Sequence, residues 1–129
     1  MVELKGKEDF VGLKRDGWGI PTVGEDLRGR REGFEEVKAG EGGVEVVVMP
    51  GVAFDRKGGR CGHGRGFYDL WLNRYCGVLE GRGAGRPVLV GLALEEQVLG
   101  VGEVPVGEGD WRVDVIVTGG GECLRRGGE

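Results

Sequence analysis

The sequence predicts an α/β fold built on a parallel sheet, and three observations carry that prediction. Residues 44–49, 88–94 and 112–118 read as three strands, rich in apolar and β-branched residues. The first is a near-continuous apolar run, as expected of a strand apolar on both faces in a buried parallel sheet. Residues 67–79 place Phe67, Leu70, Trp71, Tyr75 and Val78 on one stripe at helical spacing. Strands alternating with helical or loop connections are the pattern of α/β layering.

Taken in order, residues 1–11 predict a short strand and a turn of helix. Residues 16–24 hold Gly17, Gly19, Pro21 and Gly24 and read as a loop carrying Trp18 and Ile20. Residues 25–43 are polar and expected to be exposed. The 44–49 strand runs into the turn Pro50-Gly51-Val52-Ala53-Phe54-Asp55. Ligands in open α/β sheets bind outside strand carboxyl ends, so this turn is expected to shape a site. In the 67–79 helix Tyr68, Asp69, Leu72 and Asn73 fall off the apolar stripe, and Gly77 predicts fraying near its end. A loop at 81–85 ends at Pro87 before the second strand. Residues 1–118 form the expected domain, and residues 119–129 read as a flexible tail.

A chain of 129 residues is one domain at most and long enough to bury a core. The formal net charge of −4 argues against nucleic acid as a partner and requires any basic site to be local. The three cysteines are odd in number and lack C-x-x-C spacing. That fits a reducing compartment without structural zinc. No run reaches membrane-spanning length and no signal peptide is visible, so a cytoplasmic location is expected, with a mitochondrial one also compatible.

The segment most suited to chemistry is Arg60-Cys61-Gly62-His63-Gly64-Arg65-Gly66-Phe67-Tyr68-Asp69. It follows a strand and a turn and precedes a helix. Glycine lets the backbone approach a ligand and adopt positive φ. Free N–H groups ahead of a helix N-terminus cradle anions, and arginines add fork-shaped donors that match phosphate. The loop lacks the Gly-Lys-Ser/Thr of a P-loop, and its G-x-G-x-G spacing is not the dinucleotide fingerprint. With 30 glycines in the chain, a plain flexible connection is the competing reading of the loop alone.

Individual residues carry two readings each. Asp69 in the first helical turn either complements the helix dipole or holds Mg²⁺ beside bound phosphates. Asp110 and Asp114 bracket Trp111-Arg112-Val113, one at the start of the expected strand and one within it. Trp18 either stacks on a flat heteroaromatic ring or fills the core. His63 is the only histidine, which excludes a multi-histidine metal site. Cys61 is the one cysteine placed for reactivity, against a merely tolerated small residue.

Four blocks resemble the 5-formyltetrahydrofolate cyclo-ligase family. They are Trp18-Gly19-Ile20-Pro21, VVVMPGVAFDRKGGRCGHGRGFYDLWL at 46–72, VLVGLALEEQVL at 88–99 and VPVGEGDWRVDVIVT at 104–118. They occur in the family's order, and the second is long and specific. The resemblance implies an open, mostly parallel three-layer sheet flanked by helices. It implies ATP- and Mg²⁺-dependent cyclisation of 5-formyltetrahydrofolate to 5,10-methenyltetrahydrofolate. The expected partners are these small molecules, with no nucleic acid and no membrane, and the complete protein is expected to be a monomer.

Carried over position by position, the resemblance implies ATP binding by Arg60, Cys61, Gly62, His63, Gly64, Arg65, Gly66, Phe67 and Tyr68. It implies folate binding by Trp18, His63, Gly64, Arg65, Gly66 and Phe67. The metal falls to Asp69, from the family's Tyr-Tyr-Asp motif, and to Asp110, with Asp114 as the fallback. Arg65, at a position basic in many relatives, is the candidate for stabilising charge on the transferred phosphoryl group. Here Phe67-Tyr68-Asp69 loses one hydroxyl and keeps the carboxylate. Family members are longer, and their N-terminal portion supplies a lysine and an arginine to ATP and an acidic residue to folate. Nothing in this chain matches those residues. The chain is therefore expected to be the family's C-terminal part, and the runner-up function is a catalytically impaired nucleotide- or folate-binding fragment.

Overall fold

A computed structural model describes residues 4, 6–24, 43–81, 83 and 85–127. The backbone divides into two compact units, Met1–Lys38 and Ala39–Glu129.

In the first unit, helix α1 (Lys7–Val11) precedes strands β1 (Lys14–Arg15) and β2 (Pro21–Thr22), which pair antiparallel. Asp16 closes the hairpin. Its Oδ1 accepts hydrogen bonds from the Trp18 amide at 2.8 Å and the Ile20 amide at 2.9 Å, a local bonding pattern at which aspartate excels. Trp18 sits in this turn and is 89% exposed, so it does not fill a core within the described residues of the first unit. Of the polar stretch expected at 25–43, all but Gly43 lies outside the described residues.

The second unit carries the α/β core. Strands β3 (Val46–Met49), β6 (Val88–Ala93) and β8 (Val115–Thr118) are parallel neighbours, and β9 (Cys123–Arg125) pairs antiparallel with β8. Helix α2 (Phe67–Gly81) lies in the chain between β3 and β6. A second, smaller sheet holds β4 (Ala53–Asp55) between antiparallel β5 (Arg60–Cys61) and parallel β7 (Val98–Leu99). The fold class is thus α/β on a mixed sheet, as the sequence predicts. The tail is not structureless throughout, because residues 123–125 form an edge strand. Neither Asp110 nor Asp114 belongs to a strand, since β8 begins at Val115.

The core sits on one side of the main sheet. Val47, Met49, Leu89 and Ile116 are buried there, and α2 contributes Trp71, Leu72 and Tyr75. Burying each large apolar side chain stabilises the fold by about 1.5–3 kcal/mol. Trp71 and Tyr75 stack with centroids 4.8 Å apart, and the Tyr75 hydroxyl accepts a hydrogen bond from the Val44 amide at 2.7 Å. A Cβ on Gly91 would meet the Phe54 ring, which explains a glycine inside the central strand.

Two expectations about packing are corrected. The opposite face of the sheet is open among the described residues: Val46 and Val48 are each 52% exposed, and Val88 and Leu92 are exposed as well. Among the described residues of the second unit, the parallel strands are covered on one side. On α2, Leu72 is fully buried although it lies off the expected stripe, while Phe67 and Leu70 are exposed. The first turn of the helix faces the site described next rather than the core.

Candidate functional site

The turn after β4 is organised by a buried carboxylate. Asp55 is fully buried, and its Oδ1 accepts from the Lys57 amide at 2.9 Å and the Gly59 amide at 3.0 Å. Its Oδ2 accepts from the Val104 amide at 3.0 Å. Three amide donors satisfy this carboxylate without a cation. A Cβ on Gly59 would stand 2.7 Å from Asp55 Oδ2, so the turn requires glycine there. This arrangement directs β5 and the glycine loop back past Pro50.

Residues 60–69, Pro50, Pro105 and Asp110 line one cavity of about 380 Å³. This volume lies in the usual range for small-molecule sites, roughly 300–1,000 Å³. The glycines act through conformation: Gly64 has φ +92° and Gly66 φ +65°, and a Cβ on either would meet nothing within 4 Å. Left-handed backbone and open space let a ligand approach the main chain. The Gly66 carbonyl accepts the Leu70 amide at 2.8 Å, so the helix starts directly out of the loop.

Arg60 is the anchor of the cavity. Its side chain is 4% exposed. Its Nη1 donates to the Pro50 carbonyl at 2.8 Å, its guanidinium lies 5.2 Å from the Tyr68 ring centroid, and its Nη2 is 3.8 Å from Asp69 Oδ2. Its buried Nε has no hydrogen-bond partner. One guanidinium thereby joins the end of β3, the loop and the first turn of α2. Arg65 and His63 are exposed on the same rim.

The second carboxylate reaches the cavity because α2 grips the 107–111 segment. Asp69 Oδ1 accepts from the Trp111 amide at 3.0 Å. Asn73 donates from Nδ2 to the Gly109 carbonyl at 3.1 Å and accepts from Trp111 Nε1 at 2.8 Å. Asp69 and Asn73 are i and i+4, one helix face. Asp110 Oδ2 accepts from the Gly107 amide at 2.9 Å, which fixes its rotamer. Asp69 and Asp110 therefore line one cavity.

Asp114 belongs elsewhere. It accepts from Arg86 Nη1 at 3.1 Å and Nη2 at 2.7 Å, from the Leu89 amide at 2.9 Å and from Arg126 at 3.2 Å. Burial alone would raise its pKa. The Arg86 fork, the Leu89 amide and the two arginine charges outweigh that and hold it below its ordinary value. This carboxylate joins the β6 and β8 ends and does not line the cavity. Of the cysteines, Cys61 lies on the cavity wall and is exposed, whereas burial pushes the Cys76 thiol up and away from reactivity.

The loop, Asp69 and Asp110 singled out in the sequence line one cavity, and the contacts that place them there are not marked in the sequence. Asn73 reads as an off-stripe polar residue, and only its spacing from Asp69 hints at a shared face. Asp55 and Pro105 fall within segments the sequence singles out, the turn at 50–55 and the block at 104–118, but neither is marked there as a residue that shapes the cavity. Trp18 lies in the first unit.

A sequence profile of the 5-formyltetrahydrofolate cyclo-ligase family matches residues 1–119. A 5-formyltetrahydrofolate cyclo-ligase of Mus musculus is 33% identical over 118 residues, covering 91% of this chain and 52% of the mouse protein. One of Saccharomyces cerevisiae is 47% identical over 79 residues, 60% of this chain and 35% of the yeast protein. A third, of Arabidopsis thaliana and named mitochondrial, is 37% identical over 87 residues, 67% of this chain and 31% of its own length. The chain spans about a third to a half of the length of the curated relatives it matches.

Proposed function

Because this chain belongs to the 5-formyltetrahydrofolate cyclo-ligase family, we propose that it serves the ATP- and Mg²⁺-dependent cyclisation of 5-formyltetrahydrofolate to 5,10-methenyltetrahydrofolate. The observation that carries this is the single cavity shared by the glycine loop, Arg60, Asp69 and Asp110. The formyl oxygen is part of an amide and leaves poorly. It takes the γ-phosphoryl group of ATP, releasing ADP. The neighbouring folate nitrogen then attacks the formyl carbon, loses its proton, closes the ring and expels phosphate. No side-chain nucleophile is needed. The protein supplies position and charge neutralisation.

In this reading the loop amides at 62–66 hold the phosphates, and Arg65 on the rim stabilises charge on the transferred group. Arg60 keeps Pro50, Tyr68 and Asp69 in place. The donor set is compatible with Mg²⁺: Asp69 and Asp110 each give one oxygen to an amide, and the second Asp69 oxygen, 3.8 Å from Arg60 Nη2, would be shared between that guanidinium and the ion. Among the described residues no group of three or more His, Cys, Asp or Glu converges on a metal position. Two carboxylate oxygens completed by phosphate and water are a Mg²⁺ pattern, and the ion would neutralise phosphate charge there. Trp18, exposed in the first unit, is suited to stack on a flat heteroaromatic ring. Among the described residues no helix is long and apolar enough to cross a membrane. We place the reaction in the cytoplasm, or in mitochondria as the name of the Arabidopsis relative suggests.

The test is purified 129-residue protein with ATP, Mg²⁺ and 5-formyltetrahydrofolate, followed by methenyl absorbance. Arg65→Gln should slow turnover while leaving the fold intact. The second reading is nucleotide or folate binding without turnover. Saturable ATP binding with no methenyl product would select it. Absence of ATP binding would overturn both.

A further inference from the structure

Three cations of the second unit share one cavity and have no counter-charge among the described residues. Arg56, Lys57 and Arg125 line a space of about 550 Å³, with Val101 and Leu124 as its apolar wall and no carboxylate in its lining. Among the described residues none of the three side chains takes part in a hydrogen bond or ion pair. The neighbouring arginines differ. Arg86 and Arg126 share Asp114, and Arg112 donates to the Lys57 carbonyl at 3.3 Å. In a chain of net charge −4, three unpaired cations around one cavity repel one another without compensation. No residue of this lining belongs to the glycine-loop cavity, so the two are separate places on the unit.

The cations come from two elements whose backbones are fixed. Arg56 and Lys57 lie in the turn between β4 and β5. There the Lys57 amide donates to Asp55 Oδ1 at 2.9 Å and the Gly58 amide to the Asp55 carbonyl at 2.9 Å. The Gly58 carbonyl accepts from the Val113 amide at 2.8 Å, which ties the turn to the segment ahead of β8. Arg125 is in β9, in register with Val115 of β8. Held backbones lower the ordering cost of binding.

We propose that this cavity binds a small organic phosphate, a phosphate monoester with a short aliphatic body. Such a group carries close to two negative charges and three terminal oxygens, one oxygen for each cation. A carboxylate offers one charge and two oxygens. The Arg56 and Arg125 forks match phosphate oxygens, and Lys57 adds a point charge. Val101 and Leu124 meet the aliphatic body. No aromatic side chain lines the cavity, which counts against a nucleotide whose base would stack. Bound there, the ligand bridges β9 to the turn that directs β5 toward the glycine loop. The proposal does not depend on the reading of the glycine loop.

The test uses the full 129-residue chain with butyl phosphate, inorganic phosphate and succinate as probes. They are titrated by calorimetry at about pH 8, above the second phosphate pKa of about 6. Butyl phosphate should bind saturably and more tightly than inorganic phosphate, with succinate at least roughly tenfold weaker than butyl phosphate. The double variant Lys57→Gln/Arg125→Gln should weaken butyl phosphate binding roughly five- to tenfold. Both side chains are exposed, and the backbone bonds of the turn and of β9 remain. Circular dichroism checks the fold, and the single variants, each expected to lose roughly two- to threefold, replace the double variant if it is unfolded. Gly64→Val should leave binding unchanged, which separates this site from phosphate binding at the glycine loop. Four outcomes overturn the proposal: no saturable binding of butyl phosphate up to about 10 mM, equal affinity in the parent and the charge variants, loss of binding in Gly64→Val, or succinate or inorganic phosphate binding as tightly as butyl phosphate. Failure of the glycine loop to bind ATP changes none of these readouts.

Discussion

The Asp69 carboxylate receives the amide proton of Trp111 at 3.0 Å across 42 residues of sequence. This bond makes the helix start and the 107–111 segment one structural unit. Asn73 doubles the grip through Gly109 and the Trp111 indole. Asn73→Ala should therefore release Asp110 from the cavity. We expect a stability loss of about 1 kcal/mol, the net worth of exposed hydrogen bonds, and a larger loss of Mg²⁺-dependent ATP affinity. Calorimetric ATP titration with and without Mg²⁺ checks this. Equal Mg²⁺ enhancement in variant and parent would show that Asn73 has no positioning role.

The glycine loop gives a second expectation. Gly64 holds φ +92° with open space around its Cβ position. Valine there is strained by about 1–2 kcal/mol and also crowds any ligand approaching the backbone. Gly64→Val should weaken ATP binding by at least roughly tenfold, with a smaller effect on the core because no neighbour is struck. Circular dichroism establishes the fold, and ATP titration reads the affinity. Unchanged affinity in a folded variant would remove the loop from the nucleotide site.

Much of this architecture was legible in the sequence because long periodic segments carry strong signals. Residues 67–79 predict a helix seen at Phe67–Gly81, and 88–94 a strand seen at Val88–Ala93. The small sheet was not legible, since strands of two or three residues at 60–61 and 98–99 are too short for any period. The open sheet face was hidden because Val46 and Val48 are as apolar as buried Val47 and Met49. Helix register failed at Phe67 and Leu70: Phe67 lines the cavity instead of the core, and Leu70 is exposed. The glycine loop announced itself by composition. Its buried support, Asp55, did not, because the satisfaction of that carboxylate by Val104 is a long-range contact.

That support is open to mutation. Gly59→Ala places a methyl 2.7 Å from Asp55 Oδ2 and must displace the carboxylate or the turn. Asp55→Ala instead strands three amides, including that of buried Val104. Each buried unsatisfied donor costs about 1–3 kcal/mol, so Asp55→Ala should be the more damaging. Urea midpoints rank the two. A neutral Asp55→Ala would mean that water replaces the carboxylate and that the turn is not held by it.

The Asp114 clamp predicts the acid side of the stability curve. Its carboxyl is held below its ordinary value, because Arg86, the Leu89 amide and Arg126 outweigh the cost of burial. A group whose folded pKa is lowered binds its proton more readily in the unfolded chain. Its stabilisation is therefore complete above the unfolded aspartate value, about 3.9, and fades as pH falls through the lower folded value. Asp114→Asn removes the charge while keeping an oxygen for the Leu89 amide. It leaves Arg86 and Arg126 without their common counter-ion. At pH 7 the variant should be less stable by about 1 kcal/mol, a modest figure because both arginines are solvent-accessible, or about 3–6 °C in Tm for a chain of this size. Between roughly pH 5 and pH 2 the parent should lose stability more steeply than the variant, so that the two curves converge. Thermal melts across that range measure the difference. Parallel curves with a constant gap would show that Asp114 acts through shape alone, and that the arginines at the end of β6 and β9 are not held by its charge.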